Sequence, residues 1–586
     1  LGLGRPAVRF VIDKGVNVPM RDGVALAADV YRPDGDGPFP TLITRTPYNK
    51  ELPRTIGGNF DVLRAVGSGY AVVVQDTRGR YASGGAFNPF VDEANDGADT
   101  VDWAAAQSWS DGNVGMFGAS YFGATQWTAA SQAPAALRAI APYVTGDQYY
   151  DGWAYQGGAF QLGFNLHWTL SGLALGEVFR RLGAGEAAPE DFAALVAAVD
   201  DNERLYRRLP ISNLPELKGL APYYDDWLAH PSYDEFWRAT APRESYGKIT
   251  IPALNMGGWY DLFLKGTIAN YLGMKAHGGS GLARRPRLVI GPWSHGPSGG
   301  WFPDRYYGLM SGTDTADLTG LQLRWFDWLL RGRENGVDAE KPVRIFVMGA
   351  DVWRDEADWP LTDTDYADYF LHSGGRANTS AGDGLLSIEA PGDEPEDVYL
   401  YDPRDPVPTV GGGTFLPGLG VGVNAGPRDQ RQVETRHDVL CYTTPPLAEP
   451  LEVTGPVVAV LHVSSSALDT DFTAKLVDVH PDGRAENVAD GILRARYRES
   501  LSAPRLLEPG RTYEVTVDLV ATSNVFARGH CIRLEVSSSN FPRFDRNTNT
   551  GGEIAQEGED ALVQAVNRVH HRAGHPSRLI LPLIRR

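Results

Sequence analysis

The feature that most constrains the fold is a short apolar strand that leads into a small-residue turn around a serine. The strand is predicted at Val114 to Phe117, the turn reads Gly118-Ala119-Ser120-Tyr121, and a helix-like stretch follows from Ala124 to Ser131. A serine between a strand and a helix is typical of a nucleophile elbow, in which a strained backbone exposes the hydroxyl. Phe122 stands where a second glycine often occurs, and Gly123 comes one position later. The tripeptide alone is weak evidence, but its flanking strand and helix predict a catalytic serine.

A serine hydroxyl needs a base to take its proton and an acid to orient that base. Behind such an elbow, the acid precedes the histidine in the chain. A predicted strand at Ile251 to Met256 leads to Asp261, and another at Leu288 to Trp293 leads to His295. Both candidates follow the ends of buried strands, where ligands gather in parallel sheets. We therefore predict the triad Ser120, Asp261 and His295; the alternative is a turn aspartate and a capped surface histidine.

The chain has three regions that differ in their pattern of apolar and polar residues. Short apolar runs separated by helix-like segments occupy residues 1–145 and 249–355, and this pattern predicts parallel strands. Residues 146–248 read as helical, and they fill most of the long interval between Ser120 and Asp261. Residues 356–586 show short strand-like segments punctuated by Gly, Pro, Asp and Asn, and Val343 to Met348 has the same texture. We predict a split α/β-hydrolase domain, an inserted helical cap and a C-terminal jelly-roll β-sandwich.

A serine hydrolase also needs donors for the negative oxygen that develops on the attacked carbonyl. The first would be the backbone N–H of Tyr121, directly after the nucleophile. A His-Gly-Gly-Gly stretch, which supplies the second donor in some hydrolases, is absent after the early strand. That strand leads instead to Thr46-Pro47-Tyr48, and the Tyr48 phenol could donate in its place.

Composition excludes several classes of protein. The net charge of −19 argues against nucleic acid binding, which would require a basic surface. No run of about 18 apolar residues occurs, so no membrane-spanning helix is expected. Cys441 and Cys531 are too few for a disulfide framework or a zinc site, which predicts free thiols and a reducing, cytoplasmic setting. Triad chemistry requires neither a metal nor an organic cofactor, so none is expected.

Several motifs in fixed order resemble those of bacterial cocaine esterase and its relatives, which are grouped with X-prolyl dipeptidyl-peptidases and α-amino-acid ester hydrolases. The motifs extend over essentially the whole chain; they are Thr46-Pro47-Tyr48, Gln75-Asp76-Thr77-Arg78-Gly79, Gly118-Ala119-Ser120-Tyr121, Gly258-Trp259-Tyr260-Asp261, Gly291-Pro292-Trp293-Ser294-His295, Asp469 to Leu476 and Ser537 to Pro542.

The resemblance implies the same three-part architecture and assigns further residues. It places the second oxyanion donor on Tyr48. It also implies an aromatic acyl pocket, whose matching positions are Trp153, Trp168 and Phe263, with Phe415 and Leu416 contributed by the jelly roll. Such a pocket favours a hydrophobic or aromatic acyl group; ordinary packing is the alternative explanation for these aromatic residues.

We therefore predict a serine carboxylesterase acting on a hydrophobic or aromatic small-molecule ester. Two alternatives stay open. An aminoacyl-directed hydrolase would need carboxylates to hold the substrate ammonium; Leu262-Phe263-Leu264 stand where related enzymes place them, although Asp147 and Asp151 could substitute. The second alternative is a non-catalytic protein that binds carbohydrate through its β-sandwich. Exposed sandwich strands could also pair between subunits, which makes a homodimer a further expectation.

Overall fold

The computed structural model describes residues 9–35, 37–58, 60–416 and 424–586. Its first sheet has ten strands in the order β1-β2-β4-β3-β5-β6-β9-β10-β11-β12, and β7 and β8 form a separate small hairpin. The strands are β1 (Phe10–Pro19), β2 (Ala25–Pro33), β3 (Phe39–Thr46), β4 (Ala71–Asp76), β5 (Ser110–Ala119), β6 (Leu137–Tyr143), β7 (Tyr155–Gln156), β8 (Ala159–Phe160), β9 (Leu254–Tyr260), β10 (Arg287–Ser294), β11 (Val343–Val347) and β12 (Val352–Glu356).

The central strands, from β4 to β11 in the sheet order, run parallel, whereas β1, β2 and β12 are antiparallel additions at the edges. Because parallel strands are buried on both faces, they are apolar nearly throughout. Neighbouring residues of β3 show this: Leu42 packs in the same cluster as Phe326, and Ile43 packs with Trp127 on the opposite face. The carboxyl ends of these strands therefore meet along one edge of a sheet covered by helices on both sides.

The described residues include twelve α-helices, and six of these lie between residues 146 and 248. A π-helix at Trp168–Ala174 joins two of these. The α-helices are α1 (Pro53–Gly57), α2 (Val62–Gly67), α3 (Glu93–Ala105), α4 (Tyr121–Ser131), α5 (Leu162–His167), α6 (Leu175–Ala184), α7 (Pro189–Asp200), α8 (Asn202–Arg207), α9 (Tyr223–Ala229), α10 (Glu235–Arg238), α11 (Leu264–His277) and α12 (Leu318–Arg331). No described helix is both long and apolar enough to cross a membrane.

The second sheet has twelve strands and forms a C-terminal β-rich domain. Its main path is β15-β22-β17-β24-β13-β14-β16-β21-β18-β19, with β20 paired to β17 and β23 to β22. The strands are β13 (Asp365–His372), β14 (Leu385–Ser387), β15 (Asp397–Tyr401), β16 (Leu440–Thr443), β17 (Leu451–Ser465), β18 (Asp471–Val479), β19 (Ala485–Arg494), β20 (Tyr513–Phe526), β21 (Cys531–Ser537), β22 (Ala565–Arg572), β23 (His575–Pro576) and β24 (Arg578–Ile584). Cys441 and Cys531 both carry free thiols.

One strand lies in a different sheet from the one that its sequence pattern, shared with residues 356–586, suggested. Val343–Val347 (β11) pairs in parallel with β10 and is therefore part of the first sheet, not of the C-terminal domain. Val343 and Ile345 are fully buried there. A short apolar run looks the same in a buried parallel strand and in a sandwich core, so sequence texture alone does not distinguish them.

Candidate active site

Ser120 lies at the junction between β5 and α4, in a strained backbone conformation with φ 59° and ψ −123°. A non-glycine residue with positive φ costs free energy, and it persists where the surrounding structure holds it. The Ser120 N–H donates to the carbonyl oxygen of Tyr143 at 2.8 Å, and the Thr145 hydroxyl donates to the Ser120 carbonyl oxygen at 2.9 Å. The neighbouring strand β6 and the loop after it thus hold the elbow predicted from the sequence.

Two glycines make this turn sterically possible. A Cβ at Gly118 would lie 2.5 Å from Cβ of Phe122, and Gly118 itself has φ of 132°. A Cβ at Gly123 would lie 2.7 Å from Cβ of Thr145. Both distances are too short for real atoms. Gly123 therefore prevents a clash with Thr145, although it lies one position later than the second glycine of the usual motif. Phe122 occupies that usual position.

The three residues of the predicted triad lie in one hydrogen-bonded chain. His295 Nε2 is 2.9 Å from Ser120 Oγ, and His295 Nδ1 is 2.7 Å from Asp261 Oδ2. With the Nδ1 proton directed at the carboxylate, Nε2 is the ring nitrogen that accepts from the serine hydroxyl. The three side chains come from the carboxyl ends of β5, β9 and β10, which are brought together by the parallel sheet.

Asp261 is held on both of its carboxylate oxygens. Its side chain is fully buried, and Oδ1 accepts the backbone N–H of Phe263 at 2.7 Å while Oδ2 faces His295. A buried carboxylate is stable only when it is paired and hydrogen-bonded. Asp261 thus has a fixed orientation from which to hold the imidazole.

Tyr121 follows the nucleophile at the first position of α4, so its backbone N–H is one of those that a helix leaves without an intrahelical acceptor. Its side chain is fully buried, and the phenol donates to Glu93 Oε1 at 2.9 Å and accepts the Phe90 N–H at 3.0 Å. Glu93 in turn pairs with Arg45 at 2.7 Å, and burial raises the pKa of the Glu93 carboxyl. This buried network anchors the residue that carries the predicted oxyanion N–H.

Tyr48 lies beside the elbow, with its ring centroid 5.7 Å from that of Phe122 and 6.4 Å from that of Tyr121. The indole N–H of Trp168 donates to the Tyr48 phenol oxygen at 2.8 Å. A Cβ at Gly172 would lie 2.9 Å from Trp168 Cδ1 and 3.5 Å from Tyr48 Cε1, so the glycine allows indole and phenol to approach. Trp168 begins the π-helix, an arrangement often found at functional sites.

The predicted pocket residues Trp153, Trp168 and Phe263 form one continuous set of ring contacts that ends at His295. Trp153 stacks on Phe263 with centroids 4.0 Å apart, and it meets the Trp168 ring edge-on at 5.7 Å. Phe263 contacts the His295 ring edge-on at 4.9 Å. Edge-on and offset arrangements are the preferred geometries of aromatic pairs. The structure thus brings together the three aromatic residues that the resemblance implied.

A loop of the C-terminal domain completes this wall. The Phe415 ring lies 5.1 Å from that of His295. The Leu416 side chain is 7% exposed and contacts the helical segment at Gly163, where an added Cβ would lie 2.2 Å from Leu416 Cδ2. Phe415 therefore contacts the triad histidine, whereas Leu416 packs against the helical segment; the role of both in a pocket stays a prediction.

The two acids considered for a substrate ammonium already have protein partners. Asp151 is paired with Lys265 at 2.8 Å, and Asp147 is paired with Arg243 at 3.4 Å. Burial raises the pKa of the Asp147 carboxyl to about 7. Neither acid is therefore an unpaired anion that requires a cationic substrate.

Groups that could ligate a metal lie elsewhere. Among the described residues, the one cluster of this type comprises Asp478, His480 and His530 in the C-terminal domain. Ser120, His295 and Asp261 lie outside this cluster and form hydrogen bonds with one another.

Two family sequence profiles match the chain. The profile described as X-Pro dipeptidyl-peptidase (S15 family) matches residues 22–297, and that described as X-Pro dipeptidyl-peptidase C-terminal non-catalytic domain matches residues 335–580. Cocaine esterase from Rhodococcus sp. (strain MB1 Bresler) is 46% identical to the chain, over 98% of this chain and 99% of its own length. The chain belongs to this S15 family.

Solved structures agree with the assignment to the S15 family. An aminopeptidase from the marine sediment archaeon Thaumarchaeota archaeon superposes with a TM-score of 0.82 at 26% identity, covering 100% of this chain and 98% of that chain. An α-amino acid ester hydrolase gives a TM-score of 0.78 at 26% identity with the same coverage. The prediction of a serine esterase with an α/β-hydrolase-like N-terminal domain and a C-terminal β-rich domain is thereby confirmed.

The sequence analysis of this S15 esterase did not identify two aromatic residues, Phe164 and Trp227, that contact the predicted pocket residues. Phe164 stacks on Trp168 with centroids 5.6 Å apart and contacts Phe263 edge-on at 5.4 Å. The signal was present, because residues four apart on a helix share one face, and Phe164 precedes Trp168 by that spacing. Trp227 also stacks on Trp168 at 5.6 Å from the far side, but its distance along the chain left no comparable signal.

Proposed function

We propose that this protein is a serine carboxylesterase that cleaves a hydrophobic or aromatic small-molecule ester through an acyl-enzyme intermediate. The observation that carries the proposal is the hydrogen-bonded chain from Ser120 through His295 to Asp261, with contacts of 2.9 and 2.7 Å. A serine, a base and an orienting acid in this geometry are the requirements for nucleophilic attack on a carbonyl.

In the first half of the reaction, Ser120 Oγ attacks the ester carbonyl while His295 Nε2 takes the hydroxyl proton. Negative charge develops on the carbonyl oxygen, and the Tyr121 N–H and the Tyr48 phenol donate to it. The Trp168 indole supports this role of Tyr48: because the phenol oxygen accepts from the indole at 2.8 Å, the phenol's rotation is restricted. His295 then gives its proton to the departing alcohol.

In the second half, a water molecule takes the place of the alcohol. His295 removes a proton from the water, which attacks the acyl-enzyme and releases the carboxylic acid. Asp261 stabilises the imidazolium in both halves without itself becoming protonated. This cycle needs no group beyond the residues named.

The ring contacts around the triad support an aromatic acyl group. Trp153, Phe263 and Phe415 present ring faces and edges close to His295, and such surfaces are suited to a planar apolar group. The 46% identity to a protein named cocaine esterase supports an ester as the substrate bond. A benzoate-type ester combines both features.

An aminoacyl-directed hydrolase is the principal rival, because an aminopeptidase and an amino acid ester hydrolase are among the structural neighbours. Against it, the three residues after Asp261 are apolar and buried, with exposures of 4%, 0% and 4% for Leu262, Phe263 and Leu264. Asp147 and Asp151 are paired with protein cations. A non-catalytic carbohydrate-binding protein would have no use for the strained serine or its hydrogen-bonded histidine.

The finer architecture belongs to the same proposal. We infer that residues 146–248 form a cap, since Trp153, Phe164 and Trp168 from this segment line the site, and a cap excludes water from the reaction. The C-terminal domain would be a jelly roll built around its long antiparallel pairs, such as β17 with β20. A cytoplasmic location and a homodimer remain predictions; size-exclusion chromatography with light scattering would test the second.

The decisive experiment compares kcat/KM for p-nitrophenyl benzoate with that for glycyl-prolyl-p-nitroanilide. S120A protein serves as the blank, and S131A serves as a matched control because Ser131 lies at the far end of the same helix. We expect the wild type and S131A to cleave the ester in clear preference to the anilide. Preference for the anilide would favour the aminoacyl rival, and equal ester turnover by S120A would remove Ser120 from the mechanism.

A further inference from the structure

A cluster of residue types that can bind metal ions lies at one edge of the C-terminal sheet, where one strand ends and its two neighbours begin. β18 ends at Val479, β19 begins at Ala485 and β21 begins at Cys531, and these strands are adjacent in the order β21-β18-β19. Asp478, His480 and His530 each offer one ligand atom, and these atoms all lie within 4.8 Å of one another. The turn of the β18–β19 hairpin and the connection that leads into β21 are distant in sequence, and both thus contribute to one small volume.

Glu486 lies beside this cluster, and its carboxylate oxygen is the nearby candidate for a fourth ligand. It is the direct cross-strand partner of Asp478, so the two carboxylates lie on the same face of the sheet. Its Oε2 is 3.5 Å from His480 Nε2, and His530 Nδ1 is 2.7 Å from Asp478 Oδ1. Ligands at 2.0–2.1 Å from a tetrahedral zinc ion are about 3.3 Å apart, so these contacts already approximate the required spacing.

One ligand nitrogen of the cluster lacks a hydrogen bond. His480 Nε2 is buried without a hydrogen-bond partner, although the His480 Nδ1 atom is 3.0 Å from the Arg484 guanidinium. Asp478 and Glu486 are each 7% exposed, so the carboxylates are also withdrawn from water. Buried polar atoms in folded proteins are almost always satisfied, and an orphaned imidazole nitrogen between two carboxylates calls for a ligand.

We propose that Asp478, His480, His530 and Glu486 form a structural site for one Zn²⁺ ion that fastens the β18–β19 hairpin to the connection before β21. Two imidazole nitrogens and two carboxylate oxygens suit zinc, which prefers four ligands of this type. Because a metal ligand must present a lone pair, zinc would replace the hydrogen bond between His530 Nδ1 and Asp478 Oδ1. The site is separate from the Ser120 triad and concerns the stability of the C-terminal domain.

Arg484 is the group that opposes zinc. Its guanidinium contacts His480 Nδ1 and also pairs with Glu486 at 2.6 Å, so it must move away for His480 to bind through Nε2. Its side chain is 33% exposed and can turn into solvent. Zinc and Arg484 therefore compete for the same two side chains, and this competition distinguishes a metal site from a simple hydrogen-bond network.

The test uses full-length protein freed of metals with EDTA and then titrated with ZnCl₂ by calorimetry. CoCl₂ serves as a spectroscopic probe, since tetrahedral cobalt gives a characteristic visible absorption. We expect one zinc ion per chain and a higher Tm for the zinc-loaded protein, because a ligand that binds only the folded state stabilises it.

Four variants sharpen the result. H480Q and H530Q should each weaken zinc binding by at least about 100-fold, since even outer-shell changes cost 10–100-fold. R484Q should tighten it roughly 10-fold by removing a cation near the ion. H230Q is the matched control, because His230 also forms a half-buried pair with an aspartate, Asp234, outside the cluster; its zinc affinity should equal that of the wild type.

Esterase activity reports that each variant is folded. Zinc binding that is absent in the wild type, or that H480Q and H530Q leave unchanged, would overturn the proposal. Weaker binding by R484Q would overturn it as well, because the arginine would then belong to the site and not compete with the metal.

Discussion

The proposed reaction centre, which consists of Ser120, Asp261 and His295, and the proposed aromatic wall of the pocket are held in place by different interactions. Ser120, Asp261 and His295 all follow strands of one parallel sheet, and backbone hydrogen bonds and glycines hold the elbow. The wall is assembled from three parts of the chain, with Trp153 from the helical segment, Phe263 after β9 and Phe415 from the C-terminal domain. Ring packing, which is less directional than a hydrogen bond, holds these residues in place.

This difference separates the chemistry from substrate choice. In the reaction centre, an added Cβ at Gly118 or Gly123 meets an atom at 2.5 or 2.7 Å, so little variation is tolerated. In the wall, a change of ring size alters the shape of the pocket while the triad stays in place. In the proposed mechanism, the centre therefore determines whether an ester is cleaved, and the wall determines which ester. Substitutions in the two regions should have effects of different size and kind.

Removal of the nucleophile should have the largest effect. S120A should lower kcat for p-nitrophenyl benzoate by about 10⁴–10⁶-fold with little change in KM, because the pocket wall is untouched. Steady-state kinetics on protein whose circular dichroism matches the wild type would measure this. Activity of S120A within 10²-fold of the wild type would show that the hydrogen-bonded chain from Ser120 to Asp261 is not the reaction centre.

The next effect concerns the oxyanion donor that connects the two regions. Y48F should lower kcat by about 10²–10³-fold if the phenol stabilises the transition state. W168F keeps a ring in the wall but loses the hydrogen bond to Tyr48, and loss of one such bond costs about 0.5–1.5 kcal/mol, or roughly 3–10-fold in kcat.

A double-mutant cycle separates the two roles of Trp168. If Trp168 acts on kcat through the phenol, W168F should change kcat little once Tyr48 is already phenylalanine. Additive losses in the double variant would instead make Trp168 a pocket wall alone. An unchanged kcat for Y48F with intact folding would leave the second oxyanion donor unidentified.

The convergence of Ser120, Asp261 and His295 could be predicted from the sequence because each residue follows a strand at a position set by chain order. The elbow, Asp261 and His295 each lie just after a buried apolar run, and helix α12 spans Leu318 to Arg331. Gly332 ends that helix with a positive φ of 63°, the conformation that glycine tolerates at a helix end. Local patterns are sufficient where local geometry determines the outcome.

The features that the sequence did not reveal depend on partners far along the chain. β19 was not predicted because Asn487, Asp490 and Gly491 interrupt its apolar residues, yet all ten of its residues are buried. Asp490 is buried by pairing with Arg543, and Asn487 accepts the Arg428 N–H at 2.8 Å. Likewise, nothing near Trp168 in the sequence indicates that Trp227 stacks against it. Tertiary pairing overrides local preference in both cases.

The acid at the edge of the helical segment should affect stability and not catalysis. Asp147 is 2% exposed, and burial raises the pKa of its carboxyl from 3.8 to about 7. Between these two pH values the folded state holds a proton that the unfolded state has lost, so the free energy of unfolding falls as pH rises through this window. The side chain of Asn does not titrate, so D147N removes this loss.

We expect D147N to be more stable than the wild type at pH 8 and to lose this advantage towards pH 4. The upper limit of the gain is on the order of 4 kcal/mol, and loss of the Arg243 attraction reduces it to about 1–2 kcal/mol. Urea unfolding across this pH range would measure the gain, with D200N at an exposed position as the control. The difference in unfolding free energy between D147N and the wild type should favour D147N more at pH 8 than at pH 5. The opposite trend would mean that the pair with Arg243 outweighs the cost of burial.

An effect on KM alone should come from the part of the wall farthest in sequence from the triad. Phe415 contacts the His295 ring at 5.1 Å but takes no part in proton transfer. F415A should therefore raise KM for p-nitrophenyl benzoate about 10-fold, which corresponds to about 1.4 kcal/mol of lost ring contact, and leave p-nitrophenyl acetate almost unaffected. The ratio of kcat/KM for the two esters measures selectivity independently of the amount of folded enzyme, and F179A, at an exposed position on α6, is the control. If F415A lowered kcat for both esters equally, Phe415 would be supporting the imidazole of His295, and the separation between a reaction centre and a specificity wall would have to be redrawn to place it in the centre.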